Sequence, residues 1–363
     1  MLGALRAASP TALRVAGLAA VALMGAGLIG AGLIGGCGSA ERPGAADAVV
    51  PAAPASAPRG GPAPAGTVTP LGAPATEVVV DPRTQTVAVA LDDPPRLLLR
   101  TLAGAEPPRQ LALPGPAADL VLDADGAALL VPITTPGSLI RVPLAGGTPS
   151  RTDLGGPAQG AVAVGGATVV ALGDRLAVLE GNRTRMTIPG FIDAASLVPA
   201  GTPGGIPGGT PAGTKIGVLD RERSAVSVVN LSSGEISPAL RAGNGAARAV
   251  ADRFGRMLVT DTRDGELLAF AGDPPVLRQR FPLPGAPYGL AYDGRRDLAW
   301  VTLTARDEVV GLGVAGGEPV IVHRFPTVHQ PNAVAVDPVS GRVLVVSASG
   351  AGLQVIDPER VVQ

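Results

Sequence analysis

Pro331-Asn332-Ala333-Val334-Ala335-Val336-Asp337-Pro338-Val339-Ser340-Gly341-Arg342-Val343-Leu344-Val345-Val346-Ser347 places two apolar runs on either side of a tight turn. The turn chemistry is legible: aspartate bonds backbone amides just beyond it, proline presets φ, and glycine supplies a left-handed dihedral. The phrase recurs at Val80-Asp81-Pro82, Leu122-Asp123-Ala124-Asp125-Gly126, Ala251-Asp252-Arg253-Phe254-Gly255-Arg256 and Tyr292-Asp293-Gly294-Arg295. Successive turn aspartates lie 42, 129, 41 and 44 residues apart, and 129 is three steps of 43, so six steps lead from Asp81 to Asp337 and seven units result. A period of about 40 to 45 residues with four short strands per unit predicts a β-propeller. The expected fold class is therefore all-β, a seven-bladed β-propeller over residues 67–363.

Inner strands of such a blade are covered on both faces, so they read as continuous apolar runs such as Val87-Ala88-Val89-Ala90-Leu91 and Val343-Leu344-Val345-Val346. Unit three has Val164-Gly165-Gly166-Ala167 where its aspartate turn is due. Unit four is interrupted by a Gly/Pro/Thr stretch over 201–211, read as a disordered loop, and resumes at Lys215-Ile216-Gly217-Val218-Leu219 and Ala225-Val226-Ser227-Val228-Val229. Fourth strands end in phrases such as Phe281-Pro282-Leu283-Pro284-Gly285. The last unit lacks one, yet Val68-Thr69-Pro70-Leu71-Gly72 precedes unit one. That segment is expected to close the last blade as its outer strand, which removes two free sheet edges.

Ahead of the repeats, Arg6 and Arg14 precede an apolar run from Val15 to Gly36, followed by Cys37, the one cysteine of the chain. This is the layout of an export signal peptide over 1–36. Gly and Ala dilute the run, and no basic stop-transfer cluster follows it, which argues against a spanning helix. Residues 37–66 carry Pro51-Ala52-Ala53-Pro54 and Gly60-Gly61-Pro62-Ala63-Pro64 without apolar periodicity and are expected to form an extended, disordered tether.

Two resemblances follow from these residues. The site at Leu33-Ile34-Gly35-Gly36-Cys37 resembles a bacterial lipobox, which implies a lipoprotein whose Cys37 thiol carries acyl chains such as palmitate. It also implies a place on the outer side of the cell membrane. Two or more chains give stable attachment. Pro331–Pro338 with Gly341–Ser347, together with Trp300-Val301-Thr302-Leu303 and Leu258-Val259-Thr260-Asp261, resembles the repeat of YVTN-type and NHL-like propellers, and the whole is similar to propeller lipoproteins of actinobacterial type. The resemblance implies fold far more than chemistry. Some propellers of this broad class are lactonases or lyases with histidine, arginine and acidic residues near the channel.

Composition excludes several functions. With 29 Lys plus Arg against 30 Asp plus Glu, and Lys215 the single lysine, the chain has no basic excess for nucleic acid. Its two histidines are not at ligand spacing and acylation would use the thiol, so no metal site is expected. Asp123-Ala124-Asp125-Gly126 lacks the remaining acidic positions of a calcium loop. No Gly-x-Ser-x-Gly elbow occurs, and no cofactor is expected.

His323 falls in a fourth-strand pattern, where a structural role is expected. His329, in the loop leading into unit seven, is the weak catalytic candidate, with Arg248 or Glu77 as acid-base partners. Loops leading into first strands and loops joining second to third strands share one face. That face receives Glu77, Asp92, Asp93, Asp119, Arg221, Arg223, Arg248, Asp261, Arg263, Asp264, Tyr288, Arg306, Asp307, His329 and Asn332. Acidic residues dominate units one and two and arginines appear from unit four, a bipolar surface suited to a partner with its own charge pattern. The reading is a binding or scaffolding module for an envelope protein or glycan, with the lactonase-like or lyase-like enzyme as alternative.

Overall fold

The computed structural model describes residues 48–104, 107–200 and 214–360, so the signal segment 1–36, Cys37 and the loop expected over 201–211 lie outside the described residues. Every regular element among those described is a β-strand. Five antiparallel sheets have four strands each, and one has seven.

The first sheet comprises Ala75–Asp81, Thr86–Leu91, Arg96–Thr101 and Arg109–Ala112, in chain order from inside to outside. The sheets beginning at Val121–Leu122, Ala246–Ala251 and Pro287–Asp293 repeat that order. The last sheet contains Pro331–Val336, Val343–Ser347 and Leu353–Ile356, and its fourth strand is Thr67–Thr69, which pairs antiparallel with Leu353–Ile356 in the register Thr67 to Val355. The closure expected from Val68-Thr69-Pro70 is thus present as a ladder. The seven-stranded sheet arises from one long strand, Arg183–Ala200. Its residues 183–189 pair with Gly173–Glu180 and its residues 194–200 pair with Lys215–Asp220. Between the two halves Gly190 has φ of 130°, and the Asp220 carboxylate accepts the amides of Ile192 at 2.8 Å and Asp193 at 3.2 Å. One uninterrupted strand, with Gly190 between its halves, therefore joins what would otherwise be the outer edge of one four-stranded unit to the first strand of the next.

Alternation explains why the runs are apolar throughout. Val87, Val89 and Leu91 pack against Leu344, Val346 and Leu353 of the last sheet, while Ala88 and Ala90 point the other way onto Leu129, Val131 and Ile133 of the second. Each strand thus contributes its odd residues to one neighbour and its even residues to the other.

The turn aspartates do what their sequence context requires. Asp337 accepts the amides of Val339 at 3.1 Å and Ser340 at 2.9 Å, and Asp252 accepts those of Phe254 and Arg256, both at 2.9 Å. Burial alone would raise the Asp337 carboxyl, but the Ser340 hydroxyl and these amides hold it below the usual carboxylate range. Unit three dispenses with aspartate because Val164 pairs with Ala167 across two residues that both have positive φ, Gly165 at 57° and Gly166 at 79°. That two-residue hairpin needs left-handed geometry twice, which glycine provides without a side-chain bond.

One expectation is corrected. The part of the proline-rich segment from Val49 to Ala65 is extended, as composition requires, but it does not hang free. The Val49 amide donates to the Glu222 carbonyl at 2.6 Å, the Ala55 amide to Thr304 Oγ1 at 3.0 Å, and Gln330 Nε2 to the Ala55 carbonyl at 2.8 Å. Arg263 donates to the Val50 carbonyl. The Ala65 amide then bonds the Pro326 carbonyl at 3.0 Å and the chain enters Thr67–Thr69. Prolines make no backbone donation, so the attaching hydrogen bonds run through carbonyls and the amides of Val49, Ala55 and Ala65.

Candidate functional site

Seven innermost strand segments surround a central cavity of about 510 Å³. Its walls are mostly Val, Leu and Ala, and charge is concentrated at one end, where Glu77, Asp119, Arg248 and Asn332 lie near the starts of their strands. Most of these strands are irregular at that end. Register shifts fall between Ala75 and Glu77, Ala246 and Arg248, Pro287 and Leu290, and Pro331 and Ala333. A bulge puts an extra residue into one strand and re-aims the side chains beside it. Here the bulges sit at the residues that bring polar side chains into a ring of otherwise apolar strands.

Arg248 forms an ion pair with Glu77, 171 residues away in sequence. Its guanidinium also lies over the Tyr288 ring, 5.9 Å from the centroid, in cation–π range. Asp119 accepts its neighbour's amide, Leu120 N, at 2.8 Å. Asn332 Oδ1 is buried without a hydrogen-bond partner among the described residues. Two carboxylates and one guanidinium at the mouth leave the cluster acceptor-rich.

Burial dominates its titration. Glu77, 8% exposed, is pushed up to about 7 by desolvation; Arg248 opposes this rise and the Asp119 charge adds to it. Asp119 is raised by the same desolvation, again opposed by Arg248. Burial works against the Arg248 charge, but Glu77, Tyr288 and Asp119 hold it protonated, with its pKa raised. An acid whose folded pKa lies above its unfolded value stabilises the fold fully below the unfolded pKa and loses that contribution as pH rises through the folded one. For Glu77 the window runs from 4.5 to about 7, and the amount lost is about 3 kcal/mol at 1.36 kcal/mol per unit. Glu77→Gln is therefore expected to flatten the stability profile over that window, measured by urea denaturation at pH 4.5, 5.5, 6.5 and 7.5. A variant that still loses stability with the wild-type slope would assign the titration elsewhere.

Several of the other residues expected on this face are engaged in holding its loops, whereas Asp92, Asp93 and Arg306 are exposed. Arg221 bonds Asp193 Oδ2 at 2.9 Å and Gln159 Oε1 at 2.7 Å, and Gln159 Nε2 bonds Asp193 Oδ1 at 2.6 Å. Arg223 reaches the Gly190 carbonyl at 2.7 Å. Asp261 accepts the amides of Asn244 at 3.0 Å and Gly245 at 2.9 Å, while Arg263 caps the Asn244 carbonyl at 2.7 Å. Asp261 gathers with Asp264 and Glu266, but these amides already occupy its oxygens, and the trio reads as a loop clamp. Arg306 is exposed against Gly285. Gln159 and Asp193 escaped sequence reading because only the fold brings three separate loops onto one guanidinium.

His329 Nδ1 lies 2.7 Å from Asp307 Oδ2, while Asp307 Oδ1 accepts the Gln330 amide at 3.0 Å. The pair belongs to the loop face, but His329 does not line the cavity that holds Glu77 and Arg248. The structure thus brings four expected residues, Glu77, Asp119, Arg248 and Asn332, to one cavity, sets a fifth, Tyr288, against Arg248, and leaves the histidine outside that group. His323 is in the outer strand Val320–Pro326, stacked on Trp300 at 5.5 Å between centroids, and burial lowers its pKa. That is a packing role, as its strand position requires.

No protein-family model matches the chain, and no curated protein matches it. Solved structures do. A chain of Kuenenia stuttgartiensis hydrazine synthase superposes with a TM-score of 0.67 at 13% identity, covering 80% of this chain and 98% of that one. Virginiamycin B lyase from Staphylococcus aureus gives 0.63 at 11%, covering 80% and 97%. The β-propeller domain of Myceliophteria thermophila Cps50 (Swd1) gives 0.66 at 13%, covering 80% and 98%. At such identities the likeness shows the fold alone, and the fold is a β-propeller.

Proposed function

We propose that this protein is a seven-bladed propeller, lipid-anchored through Cys37 on the outer side of the cell membrane, that receives an envelope protein or glycan at the mouth of its channel. The count of seven rests on the inner strand segments around the cavity, with Arg183–Ala200 serving as outer strand of one blade and inner strand of the next. The observation that carries the binding role is the acceptor-rich cluster Glu77, Asp119 and Asn332 around Arg248, with Asn332 Oδ1 buried and unpaired. Unsatisfied buried acceptors are costly unless a ligand donor meets them. Exposed Val320, Ile321, Val322, Val276 and Leu277 on outer strands support a scaffolding use of the sides as well.

Retention of envelope components by the full-length protein tests the mouth. Asn332→Leu removes the unpaired acceptor and is expected to weaken retention about tenfold, the equivalent of one buried hydrogen bond; retention unchanged in this variant would dismiss the mouth as the site. Labelling with a fatty-acid analogue that persists in Cys37→Ala would dismiss the anchor. The enzyme reading is favoured by one observation, the 2.7 Å His329–Asp307 contact. It requires a concave pocket at His329, and the channel is lined without it.

A further inference from the structure

A second cavity, of about 480 Å³, lies between the first and last sheets and shares no lining residue with the channel. Its walls include Arg100, Arg342 and Arg360, the last beside the one acidic residue of the lining, Asp357, with Thr67 and Thr69 from the closing strand. The repeat makes Arg100 anomalous. In each sheet with an aspartate turn, the residue before the aspartate pairs with a second-strand residue, which pairs in turn with a third-strand residue facing the preceding sheet. That third-strand residue is Val142 opposite Leu129, Phe270 opposite Met257, Leu312 opposite Ala299 and Ile356 opposite Val343. All four are apolar and at most 1% exposed. In the first sheet the same position, opposite Val87, is Arg100.

On the neighbouring sheet the cavity is faced by Thr67 and Thr69 of the closing strand and by Leu353 and Val355. Arg100 is seated rather than loose, since a Cβ on Gly104, which has φ of 69°, would collide with its guanidinium. Among the described residues no side-chain acceptor pairs with the guanidinium of Arg100 or Arg342, whereas Arg360 is held by Asp357 at 3.3 Å. An arginine that displaces a core residue and finds no carboxylate calls for an anion from outside. The guanidinium fork matches phosphate oxygens, and threonine hydroxyls donate to the same oxygens. The volume falls within the range of small-ligand sites.

We propose that this groove binds a phosphate-bearing small molecule, its anion held by Arg100 and Arg342. The site is separate from the channel mouth and stands whether or not that face binds a partner. Titration calorimetry on the full-length protein at fixed ionic strength tests it, with inorganic phosphate and pyrophosphate as the free-phosphate arm and glycerol 3-phosphate as the lipid-headgroup arm. Binding in either arm supports the site, and the tighter arm names the source. Arg100→Leu restores the apolar residue of the other sheets, so it is expected to weaken binding at least tenfold while the melting temperature in phosphate-free buffer stays level or rises. Arg342→Gln is expected to weaken binding independently. Absence of binding in both arms, or affinity unchanged in both variants, would overturn the proposal. A melting temperature that drops in Arg100→Leu while Arg342→Gln binds normally would also overturn it, by assigning Arg100 to the fold.

Discussion

Arg248→Met is expected to destabilise the protein by about 3–5 kcal/mol at pH 7.5, because it strands one buried and one half-buried carboxylate that a single guanidinium now compensates. Glu77 pairs with Arg248 directly, and Asp119 feels its charge. Methionine keeps much of the side-chain volume, so the loss is electrostatic rather than a cavity effect. Removing the cation pushes both carboxyl pKa values further up, and each then takes a proton at a higher pH than in the wild type. The penalty is therefore largest above neutrality and shrinks toward pH 5, where neutral carboxyls no longer need a partner. At roughly 2–4 °C per kcal/mol for a domain of this order of size, the melting temperature should fall by roughly 6–20 °C at pH 7.5. Combining Glu77→Gln with Arg248→Met should restore part of the loss, and this double-mutant cycle separates the pair from its surroundings. A single variant within about 1 kcal/mol of wild type at both pH values would mean that water, not Arg248, compensates these carboxylates.

How far such a cluster is legible in sequence follows from its construction. The repeat is written in local chemistry: the turn at Asp337 needs only residues 337–342, and the same bonds recur at Asp252. The period of those turns carries blade order and ring closure with it. Individual residues on the loop face were nameable for the same reason, since their place in the unit is fixed by distance from a turn. The Arg248–Glu77 pair was not, because a bulge decides which of two adjacent side chains enters the channel, and one inserted residue leaves no mark on composition. The proline-rich segment failed differently. Its lack of apolar periodicity denies it a core of its own, but its carbonyls remain free to accept, and Arg263 and Gln330 supply donors from the propeller. Disorder inferred from composition describes a chain without neighbours, and this one has them.

Those neighbours and the closing strand should be separable by truncation. Removal of residues 1–69 takes away both the segment laid over the loops and the Thr67–Thr69 ladder, whereas removal of residues 1–58 takes only the former. The first is expected to cost several kcal/mol. It deletes the ladder, the Ala65 amide bond to Pro326 and the bond from Gln354 Nε2 to the Ala65 carbonyl at 2.7 Å, each worth about 0.5–1.5 kcal/mol net. Gln354 is fully buried and also accepts the Val328 amide at 2.9 Å, so it ties the closing strand to the preceding sheet, and its loosening reaches both. The exposed edge of Leu353–Ile356 would then pair with other copies. Sedimentation should show association, and heating should show a lowered and broadened transition. Deletion of residues 1–58 should stay within about 1–2 kcal/mol of the full chain, because the hydrogen bonds it removes are few and only partly buried, and each contributes little net. A peptide spanning residues 60–71, added in trans, should restore the transition of the longer deletion by refilling the edge. If both truncations melt alike and stay monomeric, the ring is held by the packing between sheets alone, and closure by the leading strand is dispensable.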